Sequence, residues 1–267
     1  MTGYTETFRG EVRPWETDAT EHFTVAFYFE KFEAATWRFL RGAGVDPAAA
    51  RVTTALAHYK AELRARDIFR IETAVIRAGD APRIAHKLYN SETGALATTL
   101  QLGFDGIALD GAVAWDGDEP QERPIPDAGP GWVTTVRDLA LAGEGDWAGN
   151  VSLSNLVHRF STANTFMMSE AGLTSAYMTE NRFGLSTFEM DFTFHGRPKP
   201  GDAIDVQSCI ATLGNSSIRF GNRLTNAETG DVLVELSQFG VQLDLDARRP
   251  SRFADDIREK AQALIPG

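Results

Sequence analysis

Two stretches of the chain space their apolar residues with the period of a helix, and each lies among shorter runs rich in β-branched and aromatic residues. In residues 24–42, Phe29, Phe32, Thr36, Phe39 and Leu40 fall near one face. This spacing predicts a helix, ended by Gly42 and Gly44. Residues 153–171 predict a second helix. Predicted strands cover 7–13, 52–64, 69–77, 83–89 and 95–109 in the first half, and 133–141, 185–195, 203–213, 217–225 and 232–243 in the second. Residues 79–82, GDAP, and 197–202, RPKPGD, predict turns, because proline and glycine do not sit inside a sheet ladder. Residues 252–264 predict a short amphipathic helix.

The second half repeats the first in order. LYNSETG at 88–94 returns as LTNAETG at 224–230, an offset of 136 (224 − 88), and each leads to G-[IV]-x-L-D, at 106–110 and 240–244. Upstream the offset is 128 (171 − 43), from Ala43-Gly44-Val45 to Ala171-Gly172-Leu173. That register pairs Phe32 with Phe160 and Ala35 with Ala163. Carried back, it sets Glu16 and Asp18 over Glu144 and Asp146, and His22 over Asn150. The predicted organisation is an N-terminal domain 1–115, a linker 116–130 containing four prolines, a C-terminal domain 131–246 and a tail 247–267 with a short helix.

Composition narrows the function classes. With 267 residues, 43% of them hydrophobic, the chain can bury sizeable cores. A net charge of −11 argues against nucleic acid or an anionic membrane as partner, while leaving room for one local basic patch. The single cysteine, Cys209, excludes an intramolecular disulfide and any multi-cysteine metal site. No apolar run approaches the roughly 18 residues of a membrane span, and no signal segment is recognisable, so a reducing cytoplasm is expected. P-loop, dinucleotide-binding, G-x-S-x-G and H-E-x-x-H motifs do not occur.

One helix followed by an antiparallel sheet, written twice, is an α+β pattern. Its order resembles the double hotdog proteins of the 4-hydroxybenzoyl-CoA thioesterase-like type. In that family an apolar strand leads to D-x-x-G-[HN]-[VM]-N, or a close variant, and then to an aromatic-rich helix. VRPWETDATEHFTVAFYFEKFEAA matches at Asp18 and His22, with Glu21 where glycine is usual and Thr24 where asparagine is common. GEGDWAGNVSLSNLVHRFSTAN keeps Asp146, Gly149 and Asn150. The resemblance implies tandem hotdog folds, each a long central helix wrapped by an antiparallel β-sheet, paired within one chain as the subunits of a single-hotdog dimer are, with further homo-oligomers open. It also implies hydrolysis of an acyl-CoA thioester, or less readily an acyl carrier protein thioester. No metal or organic cofactor is implied, coenzyme A being part of the substrate. The aspartate of one half is expected to face the helix of the other.

Such chemistry needs a carboxylate to activate water or attack the thioester, N–H groups at a helix N-terminus to hold the oxyanion, and an acyl pocket. Asp18 and Asp146 are the candidate carboxylates, although aspartate ahead of a helix is also a common cap. His22 is a candidate to orient Asp18 or touch substrate. Asn150, in its place in the second copy, can only hydrogen-bond. Glu33, fifteen residues after Asp18, is the fallback acid, and Ser161 stands at its equivalent. Thr24, Gly149 and Asn150 are substrate-binding candidates at the helix entrances. Phe27 and Tyr28 line an acyl pocket or fill the core. His158 and Arg159 replace Glu30 and Lys31 and are candidates to read a head group. Arg64, Arg66, Arg70, Arg197 and Lys199 are candidates for a rim holding coenzyme A phosphates. Two other activities stay open. A hotdog hydratase resembles D-x-N-P-x-H, but here the aspartate–histidine spacing is four with no proline, which favours hydrolysis. A binding protein without turnover is the third reading.

Overall fold

Aromatic residues three and four apart drive helix α1, Val25–Gly42, into the core: Phe29, Phe32, Phe39 and Leu40 are buried along one face. Each such side chain contributes roughly 1.5–3 kcal/mol on burial. The computed structural model describes residues 3–18, 20–121, 123 and 125–267. The chain divides into two compact units, Met1–Gln121 with Gly143–Val157, and Glu122–Ala142 with His158–Gly267.

In the first unit, α1 follows strand β1, Thr5–Glu11, and precedes β2, Arg51–Tyr59, β3, Ile68–Arg77, β4, Arg83–Asn90, and β5, Leu96–Asp105. All pairings in this sheet are antiparallel, in the order β1-β3-β4-β5-β2. The second unit repeats it with β6, Val133–Leu139, β7, Phe183–Phe194, β8, Ala203–Leu213, β9, Ser217–Asn226, and β10, Val232–Asp244, in the order β7-β10-β9-β8-β6. Helix α2, Leu153–Glu170, is the counterpart of α1 in the repeat, with residues 153–157 in the first unit and 158–170 in the second. A two-residue strand β11, Arg249–Pro250, pairs with β10. Two helices, each with an antiparallel sheet in one repeated order, give the α+β tandem hotdog architecture.

Both N-x-E-T-G repeats form turns, and by one device. Asn90 Oδ1 accepts from the N–H groups of Glu92 and Thr93 at 2.9 and 3.0 Å, and Asn226 Oδ1 from those of Glu228 and Thr229 at 2.9 and 3.1 Å. Gly94 and Gly230 close the turns at φ 74° and 77°. The two G-[IV]-x-L-D segments, in contrast, are not structural equivalents. Gly240 lies inside β10, whereas Gly106 lies beyond β5 at φ 82°, where a Cβ would stand 2.7 Å from Ala49 O. This turn ends β5 at Asp105, short of the predicted Leu109. β2 likewise stops at Tyr59 rather than Arg64, since the N–H groups of Lys60 and Ala61 both donate to Ala97 O.

Helix α3, Ser175–Glu180, was not anticipated. Together with a longer strand after it, it accounts for most of the change of repeat offset, since the connection 174–182 is four residues longer than 46–50 (9 − 5) and β7 is three residues longer than β2 (12 − 9). The first unit makes the same connection through a single 3-10 turn, Pro47–Ala49. The predicted C-terminal helix is α4, Asp255–Gln262, shorter than expected, and Phe253, Ile257 and Ala261 pack with Met167, Ile210 and Phe220 in the core. The proline-rich segment is tied down: Asp118 O accepts from Gln101 Nε2 and Trp115 Nε1, and Lys87 reaches Asp116.

Each core also holds a chain of buried polar side chains. In the first unit Thr7 meets Thr73 at 2.7 Å, Thr73 meets His86 Nδ1 at 2.7 Å, and His86 Nε2 meets Thr36 Oγ1 at 2.9 Å. Thr36 donates to Phe32 O, so the network assigns the neutral tautomer with the proton on Nε2. Burial pushes the His86 pKa down to about 3. In the second unit Thr135, Ser208, Asn222, Asn164, Gln238 and Thr187 form the corresponding chain.

Candidate active site

The two loops ahead of the helices share one backbone. Asp18 N–H donates to His22 O at 2.9 Å and Glu21 N–H to Asp18 O at 3.0 Å; in the second copy Asp146 N–H donates to Asn150 O at 2.6 Å and Gly149 N–H to Asp146 O at 3.1 Å. Glu21 takes φ 64° and Gly149 φ 76°, so the glutamate adopts the left-handed conformation that glycine fills in the family pattern. Neither aspartate stands at the N-cap position, which Thr24 and Ser152 occupy. Asp18 Oδ1 accepts from Thr20 N–H, Thr20 Oγ1 and His22 N–H, and Asp146 Oδ1 from the N–H groups of Ala148 and Asn150. Both carboxylates hold their own loops closed.

The cap position is one turn later. Ser152 Oγ accepts from Asn155 N–H at 3.3 Å and from its side chain at 2.8 Å, at the start of α2. Thr24, in the same place ahead of α1, makes no side-chain cap and donates to Glu16 O at 3.3 Å. Glu16 is buried. Its carboxylate takes Arg13 N–H at 2.8 Å and Lys31 Nζ at 2.7 Å, which fixes the first loop against α1.

One group of predicted residues is brought together. Glu33, on α1, and Asp146, on the second-copy loop, line a single cleft of about 370 Å³ with Glu30, Trp37, Trp147 and Ser152. Segment 143–157 belongs to the same compact unit as α1. Glu33 Oε1 accepts from Leu153 N–H, the first amide of α2, at 3.4 Å. The cleft therefore holds a half-buried carboxylate at a helix N-terminus, where unsatisfied N–H groups and the helix dipole favour negative charge.

A second, larger cleft of about 950 Å³ shares Ala34, Trp37 and Trp147 with the first, so the two run together. Arg9, Arg38 and Arg41 line it, with Asp46 the acidic residue among the lining groups. Asp46 is already engaged, its Oδ1 accepting from Ala48 N–H at 3.0 Å. Trp147 is 75% exposed.

The other predicted residues lie outside both clefts. Asp18 is exposed, and His22 turns its ring to Thr20 and Glu62, with Nε2 at 2.9 Å from the Glu62 carboxylate. Tyr28 is buried among Phe23 and Tyr59, and burial raises its pKa; Phe27 stacks on Phe23. Gly149 and Asn150 shape the Asp146 loop. His158 is exposed on α2, and Arg159 is buried and paired with Asp138 at 2.9 Å. Arg64, Arg66, Arg70, Arg197 and Lys199 line neither cleft. No group of three or more metal-ligating side chains suited to an ion occurs among the described residues, and no helix among them is long and apolar enough to cross a membrane.

A family model describing the Thioesterase-like superfamily matches residues 12–117 and 140–261. The chain belongs to the Thioesterase-like superfamily. Both loops and both helices of this thioesterase-like chain fall within the matched segments. A sequence search of curated proteins finds no match. Among solved structures, a protein of Lactobacillus plantarum described as an oleoyl thioesterase shares the fold with a TM-score of 0.70 at 9% identity, over 90% of this chain and 96% of the other. A 12:0-ACP thioesterase from Umbellularia californica gives 0.66 at 10% identity, over 93% and 94% of the two chains. An acyl-ACP thioesterase from Bacteroides thetaiotaomicron gives 0.64 at 10%, over 89% and 97%.

Several residues of the clefts of this superfamily member escaped the sequence reading. Ser152 was legible as a capping serine directly before the apolar run of α2. Arg38 and Arg41 carried no such signal, since basic residues near a helix C-terminus are ordinary. Trp147 lies in the motif loop itself, yet nothing local distinguishes a cleft-lining tryptophan from a solvent-facing one.

Proposed function

We propose that the chain hydrolyses an acyl thioester in the smaller cleft, with Glu33 as the base that activates water and Leu153 N–H as an oxyanion donor. The observation carrying this reading is the 3.4 Å approach of Glu33 Oε1 to the first amide of α2, inside a cleft also lined by Asp146. One N–H cannot serve a carboxylate and an oxyanion fully at once. As the thioester carbonyl oxygen takes the Leu153 N–H, the flexible Glu33 side chain is released to face the water. Water attacks the carbonyl carbon, Glu33 takes its proton, and the tetrahedral oxyanion rests at the positive end of α2. Collapse breaks the carbon–sulfur bond, and Glu33 returns the proton to the leaving thiolate. Asp146 keeps the loop carrying Ser152 and the α2 start in place.

The test is thiol release from matched acyl-CoA and acyl carrier protein thioesters by the wild type, Glu33→Gln, Asp146→Asn and Asp18→Asn, with folding checked by circular dichroism. Glu33→Gln is expected to lower kcat by about 10²–10⁴-fold, the usual worth of a positioned base. Asn at 146 or 18 retains the accepting oxygen that holds its loop, so both variants are expected to keep turnover within about tenfold. Full activity in Glu33→Gln sinks its role, and loss confined to Asp146→Asn transfers the base to the loop carboxylate. Absence of thiol release from every substrate removes hydrolysis itself.

A further inference from the structure

We propose that Trp147 sets the acyl preference of the reaction: its indole and that of Trp37 form an apolar throat through which the acyl arm passes from the smaller cleft into the larger one. The inference rests on the reading above, that Glu33 acts on a thioester in the smaller cleft. Position is the first argument. Ala34, Trp37 and Trp147 are the residues that line both clefts, and none of the three carries a charge or a hydroxyl. Of the two arms of a thioester, a hydrocarbon acyl arm is the one that gains from such walls, by up to about fourfold in affinity for each methylene buried. Arg9, Arg38 and Arg41 also line the larger cleft, but they are exposed, and side chains of this kind lay their methylene stems on apolar surface while the charged heads stay in water.

The loop is the second argument. Exposure of an indole shows nothing by itself, since Trp15 is as exposed as Trp147, at 73% against 75%, and lines neither cleft. Trp147 differs because the turn that carries it is fastened on both sides. Asp146 Oδ1 accepts from the N–H groups of Ala148 and Asn150 at 2.8 and 2.9 Å, and Gly145 bridges to Val151. A closed loop thus presents the indole at the throat, and an arm that covers it removes apolar surface from water without first ordering the backbone. The repeat is the third argument. At the offset of 128 (147 − 19), Trp147, Glu33 and Trp37 correspond to Ala19, Ser161 and Thr165. The two indoles and the proposed base therefore occur as a set, and the related positions lack all three.

Distance makes the proposal specific. Trp37 follows Glu33 by one turn of α1, about 6 Å along the axis at 1.5 Å per residue. An extended hydrocarbon covers that distance in about five carbon–carbon bonds. Acetyl and butanoyl groups therefore end short of the throat, while chains of about six carbons or more enter it.

The experiment is a ladder of saturated acyl groups from acetyl to decanoyl, each presented as an N-acetylcysteamine and as a coenzyme A thioester to the full-length wild type, Trp147→Ala, Trp147→Phe and Trp15→Ala. In the wild type kcat/KM is expected to rise beyond about six carbons. Trp147→Ala is expected to lose that rise, by about tenfold or more at octanoyl and on KM rather than kcat, whichever thiol carries the acyl group. Trp147→Phe keeps an aromatic wall and is expected to retain most of the rise, and Trp15→Ala all of it. Binding is read separately, by tryptophan fluorescence on titration with non-hydrolysable 2-oxoalkyl thioethers of N-acetylcysteamine. A long probe is expected to shift the emission to shorter wavelength, and the part of the shift that Trp147→Phe removes is expected to be absent with the shortest probe. The side chain is exposed, so Trp147→Ala is expected to melt with the wild type; if it does not, the fluorescence difference between the wild type and Trp147→Phe carries the comparison.

An acyl-length preference that survives in Trp147→Ala overturns the proposal with hydrolysis intact. So does a wild type indifferent to acyl length, or a loss in Trp147→Ala that follows the thiol carrier instead of the acyl chain. A length-dependent fluorescence shift that Trp147→Phe removes, with no thioester hydrolysed, supports the throat and removes the proposed reaction instead.

Discussion

The two loop copies and the two buried polar chains diverged in opposite ways. The loops at 16–24 and 144–152 keep one pattern of backbone hydrogen bonds while exchanging glutamate for glycine, histidine for asparagine and threonine for serine. The buried chains keep their positions but change their chemistry. A histidine spans Thr73 and Thr36 in the first unit, and amides take over at Asn222, Asn164 and Gln238 in the second. A loop is defined by its backbone, so its side chains can drift. In a core every donor and acceptor must be matched, so a change at one position forces changes at its neighbours.

The sharpest way to break this comparison is to remove the central group of the first chain. His86→Ala leaves a cavity and orphans the hydroxyls of Thr36 and Thr73, and is expected to destabilise by about 4 kcal/mol in chemical denaturation. Asn222→Ala, a smaller deletion, is expected to cost about 2 kcal/mol. If the two losses are equal, the histidine chain has no special packing role.

Acid separates the chains next. His86 is held neutral with its folded pKa near 3, below the unfolded value, so its contribution is complete above about pH 6.5 and is lost as pH falls toward 3. The wild type should lose about 1.4 kcal/mol per pH unit from this group in that window. Asparagine cannot titrate, so His86→Asn, which copies the second unit, is expected to flatten the slope relative to wild type. An unchanged slope means that the imidazole is already protonated in the folded chain or that other groups set the acid limb.

The helix entrances give a smaller contrast. Ser152→Ala removes a side-chain cap and is expected to cost about 1 kcal/mol, while Thr24→Ala removes only a long bond to Glu16 O and is expected to cost a few tenths, on the order of 0.3 kcal/mol. Equal melting shifts in the two variants dispose of the distinction. Smallest is the strained loop residue. Glu21→Gly is expected to stabilise by about 0.5 kcal/mol by relieving the left-handed glutamate, a rise of about 1–2 °C in Tm. Gly149→Ala is expected to lower it by a similar amount.

Local chemistry made a large part of this molecule legible. Asn90 and Asn226 announce their turns because an asparagine side chain can accept from the N–H groups two and three residues on. The apolar spacing of α1 and α2 announces two helices, and the paired motif loops announce a duplicated fold. Strand ends were less legible where a distant backbone group decided them, as Ala97 O does for β2 and Ala49 O does beside Gly106. Of the site, both loop aspartates and Glu33 are candidates from the sequence, and the resemblance implies an aspartate of one half facing the helix of the other, as Asp146 does toward α1; that Glu33 is the residue it meets was not legible.

The sequence by itself determined the two long helices, the main strands, their order and their repetition, though not α3, because helix, strand and turn preferences act over a few residues and periodicity records them. Only the tertiary structure decided that Glu33 and Asp146, 113 residues apart (146 − 33), line one cleft, that Leu153 N–H is offered to the former, and that Arg9 joins Arg38 and Arg41. Those juxtapositions depend on how packed elements meet across long sequence separations. No local propensity encodes such a meeting.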